Sequence, residues 1–160
     1  MILPPGSTIG IVGGGQLGRM LAVAAARLGY RSHVYCPNAD SPASEVCARV
    51  TLGAYDDAAA LAAFAAAVDV VTYEFENIPA APLRALAAAH RLSPGARSLE
   101  VAQDRLAEKE VVAALGGSPA PFRAVDTLEQ LRAALDAIGT PAILKTRRFG
   151  YDGKGQIRIT

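Results

Sequence analysis

The chain has 160 residues and a formal net charge of +1, with 51% apolar but only 6% aromatic residues. That length is ample for one domain core and short for two complete ones. Near-neutrality argues against a nucleic-acid-binding or polybasic membrane surface, and 33 alanines put much of the apolar content into small side chains that favour helix and close packing.

The N-terminus carries no basic leader, and no run reaches the roughly 18 apolar residues of a membrane span, so a cytoplasmic protein is expected. Residues 8–12 predict a strand that breaks into Gly13, Gly14 and Gly15 and then becomes a helix over 16–28. Gly13, Gly15 and Gly18 have the spacing G-x-G-x-x-G, which brings backbone N–H groups at a helix N-terminus close to an anion or polar ligand. A dinucleotide site also requires an acid at the end of the second strand, but that strand (32–36) runs into Cys36-Pro37-Asn38, and Asp40 comes four residues too late. A nicotinamide-binding oxidoreductase stands as an alternative on the glycines alone. Leu17, Leu21, Ala24 and Leu28 are expected to face the sheet, with Gly29 ending the helix.

A strand at 49–52 follows, then a helix capped by Asp56 or Asp57 with Leu61, Phe64 and Val68 at helical spacing, and a strand at 69–73. Strands alternating with helices in this way imply a parallel, doubly wound α/β sheet. Ligands of such sheets bind at the carboxyl edge, where Glu74-Phe75-Glu76-Asn77 stands; if the backbone stays extended there, Glu74 and Glu76 project to one side. A helix over 78–89, a short strand at 92–94 and a helix over 105–115 capped by Asp104 complete this part. Cys36 and Cys47 lack metal-like spacing and are read as reduced thiols, and His33 and His90 as structural.

From Gly116 a breaker cluster leads to an expected strand at 122–125 and a helix opened by a Thr127/Gln130 capping box, carrying Leu128, Leu131, Leu135 and Ile138 and ended by Gly139. Strands are expected at 142–146 and 156–160. Two strands and a helix cannot bury an independent core, so the chain is expected to be truncated within a second domain. Between the strands, Lys145-Thr-Arg-Arg-Phe-Gly-Tyr-Asp-Gly-Lys-Gly-Gln156 is glycine-rich and basic. From Ala137 onward five basic residues face one acid, Asp152. Glycines that free the backbone, with Lys154 and Lys145 as point charges, suit a phosphate, although no Walker A loop is present. A solvated basic hairpin is the other reading.

Taken together, Gly13-Gly-Gly-Gln-Leu-Gly-Arg-Met20, Tyr73-Glu-Phe-Glu-Asn-Ile78, Asp104-Arg105 with Lys109, and Lys145 followed by Gly150-Tyr-Asp-Gly-Lys-Gly-Gln156 resemble the N-terminal part of the carboxyaminoimidazole ribonucleotide synthetases, ATP-grasp ligases of purine biosynthesis. The resemblance implies a Rossmann-like pre-ATP-grasp domain over 1–103 and the beginning of an ATP-grasp domain over 104–160. It implies ATP-dependent carboxylation of aminoimidazole ribonucleotide by bicarbonate through carboxyphosphate, with Mg2+ ligands beyond residue 160, in a homodimer that binds neither nucleic acid nor membrane. By position, Arg105, Lys145, Gly150, Tyr151, Asp152, Gly153, Lys154, Gly155 and Gln156 would bind ATP. Tyr151, Asp152 and Lys154 would also face the reacting groups as catalytic residues. Gly15, Gln16, Leu17, Glu74 and Glu76 would hold the ribonucleotide. A formate-using glycinamide ribonucleotide transformylase is the nearest alternative ligase, but Gln16 and Tyr151-Asp152 favour the imidazole enzyme. Without the downstream ligands, the 160 residues alone are expected to show no synthetase activity.

Overall fold

The computed structural model describes residues 2–160, which divide into two compact units, 2–99 and 100–160. In the first unit β1 (Thr8–Val12), β2 (Arg31–Cys36), β3 (Arg49–Leu52) and β4 (Val70–Tyr73) form a parallel sheet in the order β3-β2-β1-β4. The expected strand at 92–94 shrinks to a single parallel bridge from Leu92 to Val71. Helix α1 (Gln16–Arg27) joins β1 to β2, α2 (Ala58–Ala66) joins β3 to β4, and α3 (Ala80–Ala89) follows β4.

Side-chain alternation along the strands divides the core between the two faces. Val12 and Tyr35 pack with Leu61 and Phe64 of α2 and Leu83 and Leu86 of α3, whereas their neighbours Ile11 and Val34 pack with Ala22 of α1. The sheet is therefore doubly wound. Asp57 caps α2 by accepting from the Ala60 N–H, and α1 ends in a Schellman motif, with Gly29 at φ +80° and the Tyr30 N–H donating to the Ala25 carbonyl.

The α1 face departs from expectation. Gly18, Ala22 and Ala25 are buried, while Leu17, Leu21 and Leu28 are 53%, 40% and 69% exposed and Ala24 is also exposed. Small residues let the helix approach the sheet closely, so packing distance overrides the larger hydrophobes. A seven-residue helix, α4 (Ala96–Ala102), had no sequence counterpart, being too short to show a period.

In the second unit, α5 (Arg105–Ala114) is capped by Asp104. Helix α6 (Leu128–Ile138) has the complete Thr127/Gln130 capping box and ends at Gly139, φ +87°. β5 (Ala142–Lys145) and β6 (Gln156–Ile159) pair antiparallel. Residues 122–125 form no strand. A strand requires a ladder partner, and Phe122 instead lies beneath the Lys109 ammonium, 5.3 Å from its ring centroid.

Two outcomes follow for the first unit. A Cβ on Gly10 would stand 2.8 Å from both Phe64 Cζ and Val68 Cγ2, so Gly10→Ala should destabilise by about 1–3 kcal/mol through overpacking, read as a lowered calorimetric midpoint. His33 is 2% exposed, stacks edge-on against Phe64 and hydrogen-bonds Thr51 through Nε2 at 2.8 Å. Burial, and then the charge of Arg49, lower its pKa below 6.5. Because the unfolded chain binds the proton more readily, stability should decline as pH falls below that unfolded value and level off beneath the folded one. Denaturant midpoints from pH 7.5 to 5 should show this slope flattened in His33→Gln.

Candidate functional site

Parallel pairing of β1 with β4 sets Val12 beside Tyr73, so the residues that follow each strand emerge together at the carboxyl edge of the sheet. This is the edge where doubly wound sheets carry their ligands. Gly13 (φ +115°) turns the chain into α1, its N–H donating to the Tyr35 carbonyl, while the Gly14 carbonyl accepts from the Ala43 N–H.

β4 stops at Tyr73, so the condition for Glu74 and Glu76 to project together is not met: Glu74 lies in a bend and Glu76 in a turn. The Glu74 carboxylate swings into the glycine loop. Its Oε1 accepts from the Gly15 N–H at 2.7 Å, and its Oε2 accepts from the Gly18 N–H. A Cβ on Gly13, Gly15 or Gly18 would fall 2.3–2.9 Å from a Glu74 side-chain atom. The three glycines of the motif thus make room for a carboxylate of the same chain, which takes N–H donors that a dinucleotide pyrophosphate would need. That geometry disfavours the oxidoreductase alternative.

Gln16 and Leu17 lie exposed on the first turn of α1, and Glu76 Oε1 accepts from Asn77 Nδ2 at 3.3 Å. Tyr55, which no sequence motif flags, adjoins this loop. Its hydroxyl pKa is pushed up to about 12, by burial first and then by the charge of Glu74, so it stays a neutral phenol at any working pH. Of the residues expected to hold a ribonucleotide, Gly15, Gln16 and Leu17 share one turn with Glu74 closed against it.

The basic stretch of the second unit is a tight loop between β5 and β6. Lys145 pairs in register with Gln156, and the Thr146 N–H donates to the Gly155 carbonyl at 2.8 Å. Asp152 adopts φ +47°, and a Cβ on Gly155 would approach Thr146 Oγ1 to 2.5 Å. Arg105 is tied to the loop twice: its N–H donates to the Arg147 carbonyl at 3.0 Å and its Nη2 to the Gly150 carbonyl at 2.9 Å. Lys154 Nζ donates to the Tyr151 hydroxyl at 2.8 Å and sits 4.5 Å from its ring centroid. Arg147 is committed elsewhere, with Nε 3.1 Å from Asp104 Oδ1 and Nη2 2.5 Å from Oδ2. The cationic excess read from sequence is therefore partly neutralised. Lys145 and Lys154 are exposed point charges beside the loop glycines, chemistry that can attract an anion. Among the described residues, no group of three or more His, Cys, Asp or Glu could hold a metal ion, and no helix is long and apolar enough to cross a membrane.

Asp104 both caps α5, accepting from the Leu106 N–H at 3.0 Å, and anchors the base of the loop. The Arg147 hydrogen bond leads in holding its pKa below 3.8. Its contribution is fully present above the unfolded value and is lost as pH falls through the folded one. Carbon-detected titration of Asp104 should give a midpoint below the ordinary aspartate range, and this depression should shrink in Arg147→Met, where the Leu106 and Ala107 N–H groups still lower it. Asp104→Ala should remove at least the roughly 1 kcal/mol of a helix cap.

The family model of the ribonucleotide synthetase preATP-grasp domain matches residues 6–103, and that of the ATP-grasp domain matches 110–160. The N5-carboxyaminoimidazole ribonucleotide synthase of Brucella melitensis biotype 1 is 54% identical over 98% of the chain, an alignment that covers 43% of that protein. A crystal structure of an N5-carboxyaminoimidazole ribonucleotide synthetase in complex with ADP superimposes with a TM-score of 0.92 at 43% identity, covering 99% of this chain and 42% of the other. The Aspergillus clavatus synthase in complex with ADP and 5-aminoimidazole ribonucleotide gives 0.82 at 28% identity, over 96% and 40%. The chain spans less than half the length of these relatives. With a preATP-grasp match over most of its length, a parallel sheet of matching form and the glycine turn at its ligand edge, the chain belongs to the ribonucleotide synthetase preATP-grasp family.

Proposed function

We propose that this chain contributes the ribonucleotide-binding edge and the phosphate-covering loop of an enzyme that carboxylates aminoimidazole ribonucleotide with bicarbonate at the expense of ATP. The observation that carries the reading is the likeness, over nearly the whole chain, to synthetases that include one crystallised with both ADP and the ribonucleotide. In this reading residues 1–103 are the preATP-grasp domain, 104–160 belong to the ATP-grasp domain, and the protein acts as a cytoplasmic homodimer without nucleic-acid or membrane partners.

In the reaction, bicarbonate oxygen attacks the γ-phosphorus of ATP, giving carboxyphosphate and ADP. The ribonucleotide amine then attacks the carboxyl carbon, phosphate departs, and the amine proton is released. Carboxyphosphate is labile, so the protein's task is to hold the reactants in line and exclude water. Gly15, Gln16, Leu17 and Glu76 hold the ribonucleotide, Glu76 as a hydrogen-bond acceptor. Lys145, Arg105 and the loop of Gly150, Tyr151, Asp152, Gly153, Lys154, Gly155 and Gln156 take the ATP phosphates, with Lys154 free to leave Tyr151 for a phosphate oxygen. Tyr151, Asp152 and Lys154 also line the reacting groups. Magnesium would accompany the nucleotide and offset the charge of its phosphates; among the described residues no group of three or more His, Cys, Asp or Glu could hold it.

Amide spectra of the isotope-labelled chain test this directly. Aminoimidazole ribonucleotide should shift Gly15, Gln16, Leu17 and Glu76, and magnesium ATP should shift Lys145 and residues 150–156, with Lys145→Ala weakening the nucleotide about tenfold. NADH should shift neither set. Silence of the first loop toward the ribonucleotide, with a response to NADH, would refute the reading.

A further inference from the structure

The geometry points to Glu74 as a positioning residue: we propose that its carboxylate is the internal clamp that fixes the glycine turn, so that Gln16 and Leu17 are presented outward to the substrate. This deepens the ribonucleotide-site reading and rests on it. Both carboxylate oxygens are engaged by the turn, Oε1 with the Gly15 N–H and Oε2 with the Gly18 N–H. The backbone of the same residue is tied down as well, since the Glu74 N–H donates to the Val12 carbonyl at 3.1 Å. Each of the three motif glycines abuts this one side chain: an added Cβ would meet Glu74 Cγ at 2.3 Å from Gly13, Oε1 at 2.9 Å from Gly15 and Oε2 at 2.7 Å from Gly18.

A side chain so enclosed has its acceptors aimed at the protein. The N–H groups of a helix N-terminus need an acceptor, and a carboxylate there is favoured by charge-assisted hydrogen bonding and by the helix dipole. With those donors filled from within, the loop has a single shape before substrate arrives. The ligand-facing groups are then the exposed pair on the first turn of α1 and Glu76 on the following turn of the β4–α3 connection. Glu74 acts on the substrate through the loop, and its charge does not contact the ribonucleotide.

Glu74→Gln tests the proposal, because it keeps size while replacing one acceptor oxygen by an N–H2 donor that faces a backbone N–H. In the intact chain, amide hydrogen exchange at Gly15 and Gly18 should accelerate at least tenfold while Val12 and Val34 keep wild-type protection. Affinity for aminoimidazole ribonucleotide should fall about tenfold, with the same ionic-strength dependence as wild type. Unchanged exchange at Gly15 and Gly18 overturns the clamp, whatever happens to affinity. Faster exchange with unchanged affinity overturns the substrate-positioning role. Should Glu74→Gln fail to fold, Glu74→Asp, which keeps the charge but shortens the reach, must show the same selective exchange at these two amides or the clamp is refuted. A wild-type chain with no affinity for the ribonucleotide sinks the functional reading alone, since the exchange comparison still decides whether Glu74 holds the turn.

Discussion

A carboxylate seated in its own glycine loop is the constraint on which the first unit depends. It exists because β1 and β4 are parallel neighbours in register, with Val12 beside Tyr73, so that the next residue of β4's chain meets the next turn of β1's. Glu74 then satisfies N–H groups that the start of α1 would otherwise expose. The same contact governs how α1 lies on the sheet. Gly18 touches both Glu74 and the Gly13 carbonyl, and it begins the buried row that continues through Ala22 and Ala25. Any side chain at Gly18 would lift the helix and break the hydrogen bond to Oε2. Loop geometry and helix packing are one requirement at that position.

The second unit uses a carboxylate in a similar way. Asp104 takes backbone N–H groups at the start of α5 and the guanidinium of Arg147 at the base of the basic loop. Arg105, the next residue, grips the loop through the Arg147 and Gly150 carbonyls. A helix start and a loop mouth are thereby fixed by two adjacent side chains, so Asp104 and Arg105 matter to the loop's shape whatever ligand it covers.

Much of this was legible in the sequence where the governing chemistry is local. Asp57, Asp104 and the Thr127/Gln130 pair cap the helices they were expected to cap, because a cap depends on three or four consecutive residues. The parallel sheet was legible from alternation of short β-branched runs with helices. Long-range chemistry was not. Leu17, Leu21 and Leu28 satisfy a helical stripe as well as Gly18, Ala22 and Ala25 do, and only the close approach to the sheet decides between them. Nothing adjacent to Glu74 reveals that its partners lie 56 and 59 residues earlier. The loop's charge was legible as a total, yet its disposition was not, since Arg147 pairs with an aspartate 43 residues away.

The proposed phosphate-covering role asks that a loop so tied still exchange some of its contacts, and those contacts differ between its base and its tip. The ties at its base are backbone hydrogen bonds and the Asp104–Arg147 pair, whereas the Lys154 ammonium meets the exposed ring and hydroxyl of Tyr151. The Lys154–Tyr151 tie is a hydrogen bond from an ammonium joined by a cation–π contact, but it is solvent-exposed and its acceptor is a neutral phenol oxygen. In the proposed nucleotide role a charged phosphate oxygen is the stronger acceptor and would draw the ammonium from Tyr151 while the contacts of Arg105 and Arg147 stay in place. Gly153 and Gly155 both stand at positive φ, a backbone conformation that glycine adopts at little cost, so the tight turn between the strands is unstrained there. Division of the loop into an anchored base and an exposed tip is what the proposed role requires, since a site that takes a nucleotide must be preformed and yet able to exchange its contacts.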